Sequence, residues 1–345
     1  MAKLFFLLSG EHPTLPFSEL KAILEAESYR HQVLGRWTQV VEVEAETESV
    51  KSVEQKSAMT RMCSVELLNC EANATKIFES AHSLPFEGFL GKDESFAVRM
   101  RRVRESAPHL VVLELERKLG EIIFKKVKGA KVNLKKPQKT FFGVLTENRF
   151  LLGLKLAEIF PKPFMERRPR KRPFFHPSAM PPKLARCMVN LAKPRSGELL
   201  VDPFCGTASL LIEAGLIGCR VIGFDVQRRM VNGSLRNLRH YGVEPEGVAV
   251  ADARKLPITE AHCIVTDPPY GTSATTLGLG AKQVVNSFLS SVGDRLSKGK
   301  RICMAAPKSV KLGKTGRDLG FKHVESHSVY VHRSLTREIA VFEVT

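Results

Sequence analysis

The pattern of apolar and polar residues differs between two parts of the chain, and it changes between residues 157 and 176. Before the change, short apolar or alternating runs have the period of strands, and amphipathic stretches with the helical period lie between them. The pattern predicts strands at 3–8, 33–44, 96–103, 130–134, 140–146 and 149–156, and helices at 17–29, 49–59 and 108–120. This mixture is typical of small α+β units, which we place at 1–60 and 61–157.

After residue 176, strand and helix patterns alternate regularly. The predicted strands are 198–201, 220–225, 247–250, 262–266 and 300–306, and the predicted helices are 182–192, 208–217, 227–240 and 283–296. Such alternation predicts a parallel, doubly wound sheet of the Rossmann-like α/β class over residues 176–345. The last two predicted strands, 321–331 and 336–344, have no helix between them, so we expect a terminal antiparallel hairpin.

The segment between the two patterns, EIFPKPFMERRPRKRPFF (158–175), contains four prolines and a run of arginines. Proline lacks a backbone donor and biases the residue before it away from helix. We therefore expect a basic linker or extended arm here, rather than a packed element.

The formal net charge is +17, with a sequence pI near 9.7, and the basic residues are clustered. Residues 92–140 contain 14 Lys or Arg against 6 Asp or Glu, whereas residues 1–50 contain 4 against 8. A clustered excess of this size indicates a polyanionic partner such as a nucleic acid.

The sequence has no evident targeting or membrane signal. The N-terminal stretch MAKLFFLLSGEHP has an apolar run too short for a secretory signal, and no run approaches the ~18 residues that a membrane helix needs. We expect a cytoplasmic protein with no membrane partner. Its seven cysteines are scattered and never spaced C-x-x-C, which argues against a disulfide scaffold and against a metal site.

The first chemical motif is LLVDPFCGTASLLIEAGL (199–216), which reads as strand, glycine-bearing turn and helix. Gly206 allows the backbone to approach a ligand beside a helix N-terminus. Asp225 ends the next strand, 19 residues after Gly206, where a carboxylate can bind ribose hydroxyls. Asp252 follows the third strand, where it can meet a base edge. These features predict an adenosine pocket, and the lack of a second dinucleotide-binding half in the sequence favours a single nucleoside cofactor with an electrophilic group over NAD.

The second motif is IVTDPPYGTS (264–273), in which a strand pattern ends on an aspartate, two prolines, a tyrosine and a glycine. The prolines fix φ and stiffen the turn, and the tyrosine ring offers a flat stacking surface. Taken alone, the motif fits a tight turn as well as a binding site. Its position at the end of the fourth strand, after the adenosine pocket, favours the site.

Four stretches in this order resemble the Rossmann-like S-adenosylmethionine methyltransferases that modify exocyclic amines of nucleic-acid bases. They are FFHPSAMPPKLARCMVNLA, DPFCGTASLLIEA, GFDVQRRMVNGSLRNL and TDPPYG. The resemblance implies S-adenosyl-L-methionine as cofactor, bound by His176, Pro177, Ser178, Met180, Asp202, Pro203, Phe204, Cys205, Gly206, Thr207, Asp225, Val226, Asp252, Ala253 and Asp267. One departure is Ala208, where the family usually has a second glycine.

The same resemblance implies a catalytic turn of Asp267, Pro268, Pro269 and Tyr270. An amine on an aromatic base is a poor nucleophile because its lone pair is delocalised into the ring. If the Asp267 carboxylate and the Pro268 carbonyl each accept one N–H, the nitrogen is held with its lone pair toward the methyl donor. Tyr270 then stacks on the flipped base, and catalysis is mostly a matter of orientation. A general-base role for His176 stays a less favoured alternative.

The first part of the chain resembles a THUMP domain (61–157) preceded by a small ferredoxin-like domain (1–60). The features that carry the resemblance are VRMRRVR, LELERKLGEIIF, KVNLKKPQ and the hairpin that follows. Similar modules grip tRNA in modification enzymes. The expected phosphate-binding residues of this module and of the linker are Arg99, Arg101, Arg102, Arg104, Lys135, Lys136, Lys139, Arg167, Arg168, Arg170, Lys171 and Arg172.

The combination of a THUMP domain and an amino-methyltransferase domain resembles the archaeal and eukaryotic tRNA guanosine N2-methyltransferases, with position 10 of tRNA the best-fitting target. A sister family acts on guanosine 6. Some relatives need a small zinc-finger activator protein, and others act alone and add two methyl groups. Two further alternatives are a methyltransferase for amines of DNA bases, which leaves residues 1–157 unexplained, and a non-catalytic RNA-binding protein, against which the intact Gly206, Asp225 and Asp267 argue.

Overall fold

The computed structural model of the protein describes residues 1–270, 280–292 and 296–345. The chain forms two compact units. The N-terminal unit consists of Met1–Glu11, Tyr29–Glu54 and Thr60–Ile159, and the C-terminal unit consists of His12–Ser28, Gln55–Met59 and Phe160–Thr345.

The N-terminal unit is built on an eight-stranded mixed sheet. Its strands are β1 (Ala2–Leu8), β2 (His31–Trp37), β3 (Val40–Ala45), β4 (Thr60–Glu71), β5 (Ser95–Arg102), β6 (Lys131–Val132), β7 (Lys139–Thr146) and β8 (Arg149–Glu158). Their order is β2-β3-β1-β4-β8-β7-β5-β6. The helices that accompany them are α2 (Ser49–Lys56, whose last two residues belong to the C-terminal unit), α3 (Ala74–Ser83) and α4 (Val112–Lys126). The strands β5, β6 and β7 pair in parallel, and the remaining neighbours pair antiparallel.

An aromatic cluster fills the core between this sheet and α4. Phe141 on β7 meets Phe86 and Phe96 edge-on, with ring centroids 5.4 and 6.1 Å apart. All three rings are almost completely buried, and Leu119 and Ile123 of α4 pack into the same cluster. Edge-to-face rings add to the ~1.5–3 kcal/mol that burial of each large apolar side chain contributes.

The C-terminal unit is a seven-stranded sheet with helices between its strands. Its strands are β9 (Leu199–Asp202), β10 (Arg220–Asp225), β11 (Gly247–Val250), β12 (Ala261–Thr266), β13 (Leu296–Pro307), β14 (Lys322–His332) and β15 (Leu335–Glu343). Its helices are α1 (Leu15–Ala26), α5 (Lys162–Glu166), α6 (Pro182–Leu191), α7 (Ser209–Gly215), α8 (Arg228–His240), α9 (Ala281–Val292) and α10 (Leu312–Asp318).

The strand order of this sheet is β11-β10-β9-β12-β13-β15-β14. The first five strands are parallel, and β14 and β15 form an antiparallel hairpin at the edge. The predicted doubly wound α/β sheet with a terminal hairpin is therefore confirmed. Because the order reverses between β9 and β12, their carboxyl ends open a crevice, which is where such sheets bind ligands.

The two units divide the chain differently from the predicted domains. One sheet contains strands from both 1–60 and 61–157, and α1 belongs to the C-terminal unit. The reason for the second difference is Glu19 of α1. Its buried carboxylate accepts hydrogen bonds from the Ser57 hydroxyl (2.7 Å), the Met59 backbone N–H (2.8 Å) and the Asn190 side-chain amide of α6 (2.8 Å). These bonds, with the packing of α1 on α6, join residues 12–28 and 55–59 to the C-terminal unit.

The expectation that residues 158–175 form an unpacked linker is wrong. The segment contains α5 and a short 3₁₀ turn at Pro169–Lys171, and Phe164 is buried in the core of the C-terminal unit. Pro163 lies in the first turn of α5, where the backbone N–H that proline lacks would have no partner within the helix. Helix-breaking residues therefore do not prevent packing here.

Other elements differ in detail. The strand predicted at 33–44 is a hairpin of two strands, β2 and β3, with Gln39 in the left-handed region at φ 59°. The sequence pattern gave no prediction for β4, α3 or α10. Among the described residues, no helix is long and apolar enough to cross a membrane.

Candidate active site

A cavity of the C-terminal unit lies at the carboxyl ends of its parallel strands. Its volume is about 650 Å³, within the range typical of small-molecule sites. The walls come from the loops after β9, β10, β11 and β12, from the segment 177–181, and from the hairpin of β14 and β15.

The loop after β9 forms the floor of the cavity. Gly206 and Ala208 both lie in the left-handed region, with φ of 53° and 64°. A Cβ on Gly206 would meet nothing nearer than 3.9 Å, so this backbone faces open space. The buried Ala208, by contrast, adopts a conformation that costs a non-glycine residue about 1–2 kcal/mol. Ala208 thus adopts the left-handed conformation that glycine adopts at no steric cost.

Asp225 ends β10 and connects the loop after β9 to the loop after β10 through hydrogen bonds. One carboxylate oxygen accepts a hydrogen bond from the Gly206 backbone N–H (3.1 Å), and the other accepts one from the Gln227 N–H (2.9 Å). Burial raises the pKa of Asp225, and the two backbone hydrogen bonds oppose that rise. Each oxygen retains further acceptor capacity toward the cavity.

Asp252 follows β11 and is tied to its own loop. Its oxygens accept from the Arg254 guanidinium at 2.5–2.9 Å, and one of them also caps the Arg254 backbone N–H at 2.9 Å. These hydrogen bonds to Arg254 lower the pKa of Asp252, so this carboxylate is ionised at neutral pH. Both residues line the cavity.

The turn after β12 carries a compact charged cluster. The Tyr270 hydroxyl donates to Asp267 Oδ1, and Arg337 Nη2 of β15 lies 3.4 Å from Asp267 Oδ2. The Arg337 guanidinium also lies over the Tyr270 ring, 5.5 Å from its centroid. Burial raises the pKa of Asp267, whereas Arg337 and the Tyr270 hydroxyl act to lower it. Residues 271–273, the end of the motif IVTDPPYGTS, lie outside the described residues.

A second buried acid links the two central strands behind this cluster. Asp202 at the end of β9 accepts from the Thr266 hydroxyl of β12 (2.7 Å) and from the Phe204 N–H (3.1 Å). Burial raises the pKa of Asp202 to about 7, and the neighbouring Asp267 and Asp225 add to that rise. The two hydrogen bonds of Asp202 join the loop after β9 to β12, and Asp202 is not among the described residues that line the cavity.

The structure brings together most of the predicted site residues. The predicted residues that line the cavity are Pro177, Ser178, Pro203, Phe204, Gly206, Asp225, Val226, Asp252, Ala253, Asp267, Pro268, Pro269 and Tyr270. The predicted residues that are not among the described lining residues are His176, Met180, Asp202, Cys205 and Thr207. Met180, Cys205 and Thr207 are buried, and the His176 ring is bonded to the Ser178 hydroxyl (2.7 Å).

The covering segment is held by α8. Asn237 accepts from the Phe174 N–H and donates to the Phe174 carbonyl, both at 2.9 Å, and the Phe174 ring packs where Gly233 has no side chain. Asn237 also donates to the Thr207 carbonyl of the β9 loop (3.0 Å). One side chain thus holds both the loop after β9 and the segment that covers the cavity.

Sequence reasoning missed the contribution of the terminal hairpin. Val331, His332, Ser334, Leu335 and Arg337 all line the cavity. The available signal was weak: the hairpin itself was predicted, but nothing in its sequence indicated that it folds over the end of β12. Arg337 is nevertheless the cation nearest to Asp267 in the described structure.

The predicted RNA-binding residues of the N-terminal unit fall into two groups. Arg101 and Arg104 are exposed, as are Lys135 and Lys136, whereas Lys139 is half-buried. Arg99 donates to the Leu134 carbonyl (2.5 Å), and Arg102 donates to the Leu110 carbonyl. The exposed group is free to meet phosphates, while Arg99 and Arg102 also hold the module's own loops.

In the segment 167–172, two of the predicted RNA contacts are structural instead. Arg167 and Arg186 both pair with the fully buried Glu213 of α7, at 2.8 and 2.9 Å. Arg172 is buried and donates to the Ser209 hydroxyl (2.6 Å) and to the Arg167 carbonyl (3.0 Å). Arg168, Arg170 and Lys171 remain exposed. The prediction that Arg167 and Arg172 face RNA is therefore not supported, because their guanidinium groups are used inside the unit.

Comparison with known families agrees with this architecture. Residues 169–339 match the family described as RMKL-like, methyltransferase domain, and residues 71–155 match the THUMP domain family. The solved structure of TrmN from Thermus thermophilus covers 99% of this chain and 100% of its own, with a TM-score of 0.57 at 20% identity, and so supports the fold. The fold and the site define a Rossmann-like methyltransferase that carries a THUMP domain.

Curated relatives narrow this class. The tRNA (guanine(10)-N2)-dimethyltransferase of Methanothermobacter thermautotrophicus is 41% identical over 99% of both chains. The protein of the same name from Methanocaldococcus jannaschii is 32% identical over 98% of this chain and 99% of its own. The chain belongs to the family of tRNA (guanine(10)-N2)-dimethyltransferases.

Proposed function

We propose that the protein transfers methyl groups from S-adenosyl-L-methionine to the exocyclic N2 of guanosine 10 in tRNA, and that it adds two. The observation that carries the proposal is the Asp267–Tyr270 turn at the carboxyl end of β12, facing a cavity at the reversal point of the sheet. The full-length similarity to relatives named for this reaction supports the target and the two methyl groups.

The residues around the cavity fit the proposed cofactor. The open backbone at Gly206 leaves room for a ligand, and the remaining acceptor capacity of Asp225 suits ribose hydroxyls. Phe204 offers an apolar face, held edge-on by Phe288 with centroids 5.6 Å apart. When bound, S-adenosyl-L-methionine supplies an electrophilic methyl group on a sulfonium.

The catalytic work of the chain is to orient the amine. Asp267 and the Pro268 carbonyl each accept one N–H, which directs the nitrogen lone pair out of the base plane. Tyr270 stacks on the base, and its partly buried ring excludes water from one face. Orientation of this kind can supply about 7–11 kcal/mol of the barrier. Asp267 need not be a strong base, because the nitrogen becomes acidic as the methyl arrives.

The N-terminal unit provides the grip on the tRNA. Exposed Arg101, Arg104, Lys135 and Lys136 contact phosphates and carry no base information. A small zinc-finger activator protein and a cytoplasmic location stay predictions of the sequence.

The test uses the full chain, labelled S-adenosylmethionine and an unmodified tRNA transcript, followed by nucleoside mapping. We expect N2-methylated guanosine at position 10, and none in a transcript with inosine at that position, which lacks the amine. Label at guanosine 6 would assign the sister activity. No label, with or without a zinc-finger activator added, would overturn the proposal.

Asp267→Ala provides the first test of mechanism. It removes an acceptor for the amine but no phosphate contact, so we expect methyl transfer to be lost while the Kd for tRNA changes less than about twofold. Asp318→Ala, at an exposed position on α10, is the matched control and leaves the rate unchanged. If the tRNA affinity falls together with the rate, Asp267 is more than a positioning group.

A further inference from the structure

Arg337 is a buried cation that the proposed reaction does not yet use. It lies on β15 opposite Pro307 and is 8% exposed. Arg337 lines the cavity beside the catalytic turn, and its Nη2 lies 3.4 Å from Asp267 Oδ2. An arginine in this place is costly to desolvate. The Asp267 carboxylate and the Tyr270 hydroxyl oxygen, which also accepts a hydrogen bond from Arg337, meet only part of its hydrogen-bonding capacity.

One donor of Arg337 is left over. Within the part of the chain that the structure describes, Nε has no hydrogen-bond partner, although the atom is fully buried. A buried donor without a partner costs about 1–3 kcal/mol. Because Arg337 also lines the cavity, an acceptor on a bound ligand can meet a further donor of this guanidinium.

We propose that Arg337 and Asp267 together read the Watson–Crick edge of guanine, an inference that rests on the proposed function. Along that edge, guanine presents the N2 amine, the N1–H donor and the O6 acceptor in a row. The Asp267 carboxylate offers two acceptors, one for an N2–H and one for N1–H. The adjacent guanidinium of Arg337 donates to O6. The pair thus presents the same sequence of one donor and two acceptors that cytosine presents to guanine.

This arrangement explains selection of the base and not only of the amine. Adenine carries an acceptor at N1 and a donor amine at C6, so it would place like groups opposite both Arg337 and Asp267. In a buried site, each mismatched group loses its hydrogen bond without gaining water. The turn alone can hold any exocyclic amine, whereas the arginine from the hairpin adds recognition of O6.

In this structure the Tyr270 hydroxyl donates a hydrogen bond to Asp267 Oδ1. The base amine takes over that oxygen as the nucleotide enters. Arg337 remains beside Oδ2 and favours the ionised carboxylate, against the burial that raises the pKa of Asp267. The acceptor pair is therefore kept ready for the two guanine donors.

The test compares two tRNAs that differ at position 10, one with guanosine and one with 2-aminopurine, which keeps the N2 amine but lacks both N1–H and O6. For the wild-type chain we expect kcat/KM to be on the order of 10- to 100-fold higher with guanosine. For Arg337→Met, which keeps much of the apolar bulk, we expect this preference to fall about tenfold. Any difference in intrinsic reactivity of the two amines cancels when the ratio is compared between proteins.

Arg301→Met is the matched control. Arg301 lies on β13 of the same sheet, is largely buried and pairs with Glu343, but does not line the cavity. We expect its preference for guanosine to equal that of the wild type. Should Arg337→Met not fold, as judged by its thermal transition, Arg337→Lys keeps the charge and loses the planar fork, and the same fall in preference is expected.

The possible results distinguish failure of the base-reading role of Arg337 from failure of the proposed function. If Arg337→Met slows both substrates equally and leaves the ratio unchanged, Arg337 merely supports Asp267 and the base-reading role is wrong. If the wild-type chain methylates neither tRNA, the proposed function itself fails and this inference fails with it. A fall in the ratio for the Arg337 variant but not for Arg301→Met supports the inference.

Discussion

Two arginine-rich segments, 99–104 and 167–172, have similar sequences and different roles. In the first, Arg101 and Arg104 are exposed, and no carboxylate is paired with either in the described structure. In the second, Arg167 and Arg172 are turned into the C-terminal unit. A run of basic residues therefore does not by itself define a nucleic-acid surface.

For Arg167, the difference is set by a single carboxylate, that of Glu213. Glu213 occurs in the apolar helix SLLIEAG and is fully buried, so it requires cationic partners, and Arg167 and Arg186 supply them. No buried acid with this role is paired to 99–104 in the described structure. The informative signal was thus not the basic run but an acid in an apolar stretch more than 40 residues away.

The largest expected effect comes from removing that carboxylate charge. Glu213→Gln leaves Arg167 and Arg186 buried beside a neutral amide, so we expect the free energy of unfolding to fall by about 3–5 kcal/mol in urea titrations. Glu246→Gln, which breaks the exposed pair with Arg220, should leave the urea midpoint unchanged within error. Equal effects of the two variants would show that the buried ion pairs contribute no more to the free energy of unfolding than the exposed pair does.

A smaller effect is expected at a buried acid that lacks an arginine. The pKa of Asp202 is about 7 in the folded chain, against ~3.9 in an unfolded one. Since the folded state holds the extra proton, this group stabilises the fold most below pH ~4, and that contribution is lost as the pH rises to about 7.

Asp202→Asn should remove this dependence. We expect the difference in unfolding free energy between wild type and variant to change by on the order of 2–4 kcal/mol between pH 4 and pH 7.5, with the wild type losing stability as the pH rises. The measurement is chemical unfolding at a series of pH values. A difference that is flat across this range would place the Asp202 pKa near its ordinary value. The contrast with Glu213 then tests whether a paired buried acid behaves differently from an unpaired one.

The smallest expected effect lies on the exposed segment. The double variant Arg101→Ala/Arg104→Ala should weaken tRNA binding about 5- to 30-fold and reduce the slope of log K against log salt by about one for each lost contact. Its thermal transition should not move. Arg30→Ala, an exposed arginine in the acidic first 50 residues, is the control and should leave both quantities unchanged. Loss of stability in the double variant would show that Arg101 and Arg104 also have a structural role, as Arg167 and Arg172 do.

Much of the fold followed from the sequence because the alternation of strands and helices after residue 176 is regular. The catalytic turn and the Gly206 loop were found because each motif sits directly after a strand, so local order fixes its place at the sheet edge. Arg337 could not be found in this way, since its role depends on the hairpin pairing β15 next to β13. Likewise, β4 was missed because its apolar and polar residues do not alternate cleanly, and its place is set by pairing with β1 and β8.

The membership of α1 in the C-terminal unit has a consequence for synthesis on the ribosome. The Asn190 amide that satisfies Glu19 lies 171 residues further along the chain. At about 5–20 residues per second, α1 waits roughly 10–30 s for this partner. During that interval the nascent chain exposes an apolar helix face, so the first helix to be made is among the last to be completed. A fragment that begins after residue 160 lacks α1 altogether, and we expect it to be a poor substitute for the intact methyltransferase unit.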